Sequence, residues 1–297
     1  MAERKRALNT RLAYESDWRD FAAWCASAGR EALPASADTV SLYLVALAGR
    51  GRLPSTIGRR VVSIAAQHLA AGHASPATAD VGEVLAGIRR KLGTAPVHRK
   101  AALSVDDLRL MLPACGDGPR GARDRALLLV GFASGLRRSE LAGLDLADVS
   151  IEREGLVLRV RRSKADQMGA GRMLGVHRGR RRSTDPVQAF EAWILERGEW
   201  AGALFCRLAL AGDAVMRRRL SGRAVAEVVQ AAARSAGLDA SRYAGHSLRA
   251  GCATAAAAGG ASDLAIMGRT GHKSAAMMGR YVRHGSLFAV DPLAGAL

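Results

Sequence analysis

The sequence predicts a mainly α-helical chain of two parts, with one small antiparallel β-sheet in the second. Three observations predict it. Apolar residues recur at helical spacing from residue 10 to residue 92, interrupted by Gly, Ser and Pro signals. One stretch, 149–177, switches to alternation with a period of two. Helical spacing then returns and continues past residue 250. A chain of 297 residues is long enough for two domains, each with its own core.

Four helices are expected in the first part, residues 1–92. Residues 10–28 set Leu12, Trp18, Phe21, Ala22 and Cys25 near one face, and Gly29 supplies a stop. Residues 36–48 carry Val40, Leu44 and Leu47 and end where Gly49 and Gly51 break the pattern. Residues 55–71 and 77–91 follow, opened by Ser55 and Ser75-Pro76 and closed by Gly72 and Gly93. Short connections predict a compact helical bundle. The stretch 93–102 has Gly93, Pro96 and the basic pair Arg99-Lys100 but no periodicity, and reads as an interdomain linker lying on a polyanion.

The second part, 103–297, opens at Ser104, where Ser-Val-Asp-Asp resembles a capping box. Residues 122–134 form an apolar helix ended by Gly135, and a short helix begins at about Arg138. Within 149–177, Val157, Arg159 and Arg161 alternate with Leu156, Leu158 and Val160, which predicts a small antiparallel sheet with Lys164 at or near its turn. Helices are expected at 185–197, 221–236 and 246–258. An apolar tail, about 285–297, either folds back on its own domain or docks on a neighbouring subunit.

The charge balance points to a partner. Forty-four Lys and Arg against 27 Asp and Glu give a net charge of +17, which favours nucleic acid or an acidic membrane surface. The charge is uneven: residues 153–182 hold ten basic residues against two acids, whereas residues 1–92 hold thirteen against eight. No apolar run reaches the roughly 18–20 residues needed to cross a bilayer, so no membrane partner is expected. Cys25, Cys115, Cys206 and Cys252 are scattered without metal-ligand spacing, which predicts free thiols, no metal and a cytoplasmic protein.

Six residues form a candidate set for attacking a phosphodiester without a metal or other cofactor: Arg137, Lys164, His246, Arg249, His272 and Tyr281. The pentavalent transition state gathers negative charge that fixed donors must neutralise. The planar fork of arginine meets two phosphate oxygens at once and stays charged at any working pH. Arg137 follows Gly135 at an elbow between helices, with Glu140 three residues on as a support. Arg249 lies three residues after His246, on one helical face. The phenol of Tyr281 needs a base or a positive field to act as nucleophile, and His246 or His272 can supply it. Lys164 can protonate the leaving 5′ oxygen. Each residue alone has a plainer reading, as a solvated charge, a capping histidine or a packing tyrosine. Candidate contacts to DNA are Arg99, Lys100, Arg161, Arg162, Arg178, Arg180, Arg181 and Arg182, which suit backbone phosphates more than bases.

The segments Gly-Leu-Arg-Arg-Ser-Glu-Leu (135–141), His-Ser-Leu-Arg (246–249) and Gly-His-Lys-Ser…Arg-Tyr (271–281) resemble the tyrosine recombinases, or phage-type integrases, of the Xer and Cre kind. The resemblance covers nearly the whole chain. It implies a SAM-like, core-binding helical domain, then an α+β catalytic domain, the two clamping duplex DNA. It implies that Arg137, Lys164, His246, Arg249 and His272 surround the scissile phosphate while Tyr281 forms a 3′-phosphotyrosyl bond. It also implies a tetramer on two duplexes, with the tail able to dock in trans, at the nucleoid. The first helix begins by residue 10, so an arm-binding domain is not expected. The alternatives are a type IB topoisomerase and a non-catalytic DNA-binding regulator.

Overall fold

The computed structural model describes residues 8–94, 100–161, 171–211 and 214–271. The chain divides into two compact units, Met1–Val97 and His98–Leu297.

In the first unit, α1 (Leu8–Ser27), α2 (Ala37–Gly49), α3 (Pro54–Ala70) and α4 (Ala79–Leu92) lie within one or two residues of the expected bounds. The Ser36 hydroxyl caps α2 by accepting from the Thr39 N–H, and Pro54 opens α3, where its missing N–H costs nothing. Phe21, Tyr43, Leu44, Leu47, Ile57 and Ile64 fill the core. Two polar devices lie among them. Tyr43 donates to Asp20 at 2.6 Å, and Arg60 pairs with both. His68 is fully buried; its Nε2 accepts from the Ala35 N–H at 2.8 Å, which leaves Nδ1–H to donate to the Ile64 carbonyl at 2.9 Å.

The second unit is mainly helical with two small antiparallel sheets. Its elements are α5 (Val105–Met111), α6 (Gly118–Ser134), α7 (Arg138–Gly143), β1 (Val149–Ile151), β2 (Gly155–Val160), β3 (Arg172–His177), α8 (Pro186–Arg197), β4 (Cys206–Leu208), β5 (Val215–Arg219), α9 (Gly222–Ser235), α10 (Gly245–Ala258) and α11 (Asp263–Thr270). The order β1-β2-β3 is antiparallel throughout, with Val149 opposite Leu158 and Val160 opposite Arg172. Helix α6 is the centre of the unit and packs against α8, α10 and β3. Trp193 of α8 is fully buried there, and its indole N–H donates to the Leu204 carbonyl at 2.9 Å.

Four features depart from the sequence expectation. Helix α6 starts at Gly118 rather than 122, because its first turn, Gly-Pro-Arg-Gly, carries no apolar periodicity. The β4–β5 hairpin and α11 were not anticipated: β5 is exposed along most of its length, and α11 buries only Ile266 and Thr270. The end of the stretch expected as a linker is bonded into the second unit. Lys100 Nζ donates to the Ser241 carbonyl, Ala101 N–H to Arg242 at 2.7 Å, and Leu103 N–H to Ser247 at 3.0 Å. The four cysteines are free thiols, and among the described residues no helix is long and apolar enough to cross a membrane.

Candidate active site

The site begins at the end of α6. Gly135 closes that helix with φ +62, the left-handed region that favours glycine, and it turns the chain directly into α7. Arg137 is the N-cap of α7, and its backbone N–H donates to Glu140 Oε2 at 3.0 Å. The Arg137 guanidinium returns along the same turn: Nη1 donates to Glu140 Oε1 at 2.6 Å and Nη2 to the Gly271 carbonyl at 3.0 Å. The Glu140 side chain is 2% exposed, so it is a buried charge held by its partners.

Arg249 arrives from α10. It is 2% exposed, which rules out a merely solvated charge, and its Nη1 donates to the carbonyls of Gly135, at 2.9 Å, and Thr270. Arg172, the first residue of β3, completes the group: Nη1 donates to Gly268 O at 2.9 Å and Arg269 O at 2.8 Å. Helix α11 therefore ends in four consecutive carbonyls, from Gly268 to Gly271, each accepting from an arginine brought by another element. The last carbonyls of a helix lack internal partners and form its negative pole, so three guanidinium groups are stabilised there. With Glu140 the one carboxylate bonded to this cluster among the described residues, the site keeps an excess of positive charge suited to an anion.

The structure thus brings Arg137, Glu140 and Arg249 together, and it sets His246, exposed, in the first turn of α10, one turn before Arg249. Lys164, His272 and Tyr281 lie outside the described residues, as do the tail and the candidate contacts Arg99 and Arg162. His272 follows Gly271 directly in the sequence, and Lys164 falls between β2 and β3. Of the other basic candidates, Arg178, Arg180, Arg181 and Arg182 are exposed. Arg161 is half exposed but already paired, with Asp148 at 2.6 Å and Asp145 at 2.8 Å. Arg172 was missed by the sequence reading, since nothing in a stretch of ten basic residues singles it out.

The profile of the phage integrase family matches residues 101–286. A curated relative, the integrase/recombinase XerD homolog of Selenomonas ruminantium, is 34% identical over 98% of this chain and 86% of its own length. The chain belongs to the phage integrase family. It is accordingly a tyrosine recombinase, of the enzyme class that breaks and rejoins DNA strands. The recombinase Cre of Escherichia phage P1 is 27% identical over 90% of this chain and 81% of its own length. In fold, the chain matches a lambda integrase dimer bound to a COC′ core site, with TM-score 0.66 at 17% identity, covering 95% of this chain and 90% of the other. It also matches the Tn1549 transposon integrase in complex with transposon right end DNA, with TM-score 0.63 at 18% identity over 93% and 89%. These relatives are recombinases and integrases, which does not favour the topoisomerase or the non-catalytic regulator.

Proposed function

We propose that this recombinase is site-specific and that Tyr281 attacks the scissile phosphodiester. The phenolic oxygen bonds to phosphorus as the bond to the 5′ oxygen breaks, and the resulting 3′-phosphotyrosyl ester retains the bond energy. A 5′ hydroxyl from the partner duplex then reverses the step, and strand exchange passes through a Holliday junction. Arg137 and Arg249 hold the non-bridging oxygens, with Glu140 supporting Arg137. Lys164 protonates the leaving 5′ oxygen, and His246 or His272 takes the phenolic proton. The opening turn of α10, which carries His246, adds the positive pole of a helix to the same field.

The observation that supports this reading most is the convergence of Arg137 and Arg249, from distant segments, on the two carbonyls just before His272. Duplex DNA is the partner, as in the DNA-bound structures that share the fold. The first unit, about 1–92, is its core-binding domain. Lys100, Arg161, Arg178 and Arg180–Arg182, with Arg99 and Arg162, meet backbone phosphates. Four copies assemble on two duplexes in the cytoplasm, at the nucleoid, with the tail of about 285–297 docking in trans.

The test is capture. Nicked duplexes with randomised sequence are incubated with the protein, and covalent adducts are isolated and their junctions sequenced. Wild type gives adducts at a common junction, whereas Tyr281→Phe gives none and still retards the recovered duplex on a gel. An adduct on the Phe variant would assign the nucleophile elsewhere.

A further inference from the structure

Arg172 makes bonds that a solvated arginine would not. Its side chain runs from the start of β3 to the last turn of α11, where Nη1 is shared between two carbonyls. Gly271 packs on its guanidinium so closely that an added Cβ would lie 3.2 Å from Cζ. Nη2 is buried without a hydrogen bond, 3.6 Å from Glu140 Oε2. Burial holds Arg172 below the ordinary guanidinium range; Glu140 opposes this and the Arg137 charge adds to it.

A buried donor without an acceptor is costly, so this placement needs a reason. Glu140 supplies one. Arg137 now spends its fork on Glu140 and on the Gly271 carbonyl. If gripping a phosphate draws that fork away from Glu140, a carboxylate that is 2% exposed keeps, of its two bonds from Arg137, only the one from the backbone N–H. The next cation within reach of Glu140 is Arg172.

We infer that Arg172 is a positioning residue for strand cleavage: it takes over Glu140 when Arg137 engages phosphate, while pinning the β2–β3 hairpin to the end of α11. Through that one side chain, β3 and the helix that precedes His272 in the sequence are tied together. The inference rests on the recombinase reading above and adds to it a residue that touches no DNA.

The experiment uses the full chain and the nicked duplex recovered with wild type. Adduct formation is followed in single turnover at saturating protein, duplex affinity by titration, and amide exchange at Gly268–Gly271 without DNA. Arg172→Ala is expected to slow adduct formation about 100-fold while duplex affinity changes less than about threefold. Exchange at the end of α11 rises in the same variant, and Arg172→Lys, which keeps the charge without the fork, restores part of the rate. Glu140→Gln combined with either Arg172 variant is no slower than the slower single variant, because both act through one contact. Should Arg172→Ala not fold, the cycle with Arg172→Lys carries the same test. The inference is overturned by wild-type rates in Arg172→Ala, by multiplying effects in the cycle, or by affinity falling in step with rate, which would make Arg172 a DNA contact. A wild-type protein that forms no adduct on any duplex overturns the recombinase reading itself, and this inference with it.

Discussion

Gly135→Ala isolates the elbow on which the site is built. Two costs add. At φ +62 an alanine is strained by roughly 1–2 kcal/mol. Its Cβ would also lie 3.1 Å from Cys252 Sγ and 3.2 Å from the Thr270 methyl carbon, tighter than ordinary contact. Thr270 cannot readily turn away, since it is fully buried and its hydroxyl donates to the Ile266 carbonyl at 2.7 Å. Overpacking of this kind costs about 1–3 kcal/mol, for a total of roughly 2–5 kcal/mol. In a unit of this size that corresponds to a fall of roughly 4–20 °C in Tm. Gly237→Ala is the control, because Gly237 has φ +73 but nothing within 4 Å of an added Cβ. Calorimetry of both variants separates backbone strain from packing. The single-turnover rate should fall further in Gly135→Ala alone, as the Gly135 carbonyl accepts from Arg249. Equal destabilisation of the two variants would refute the close packing of this elbow.

Two other outcomes test the surroundings of the site and the first unit. Burial pushes the Asp145 carboxyl up, but hydrogen bonds from Arg219 and Arg161 outweigh it and hold it below its ordinary 3.8. Stability from this lowered carboxyl is present above 3.8 and lost as pH falls through the lower folded value, so Asp145→Asn should be weaker than wild type near neutrality and converge with it in acid. Urea midpoints across the acid range read this, and a constant gap at every pH would refute it. In the first unit, His68→Ala leaves the Ala35 N–H and the Ile64 carbonyl without their partner. It should cost roughly 3 kcal/mol. Tryptophan fluorescence during denaturation follows it, since Trp18 meets the His68 ring edge-on at 6.0 Å; an unchanged midpoint would contradict the bonded, buried imidazole.

What could be read from the sequence follows how local each signal is. The first unit's helices are framed by Gly, Ser and Pro and carry apolar faces, so spacing alone finds them. The β2–β3 hairpin declares itself by alternation. Helix α11 does not: Leu264 is 79% exposed, and few of its residues pack inward. Its end is held by side chains from α7, β3 and α10, and no window of sequence contains that support. Arg161 shows the same limit from the other side. Its partners Asp145 and Asp148 lie across the β1–β2 hairpin, where spacing does not reveal them.

Short motifs single out Arg137 and Arg249, but motifs say nothing of what those arginines touch. The structure adds that both are engaged with backbone carbonyls. A phosphate gripped through those same N–H groups would compete with the pole of a helix for them. A dianion-like transition state outcompetes a partial charge of about half an electron more strongly than a singly charged diester does. An arginine that must leave a weak partner to meet a strong one favours the transition state over the bound ground state. Such a site gains rate from that exchange only if the carboxylate released with it is not left bare.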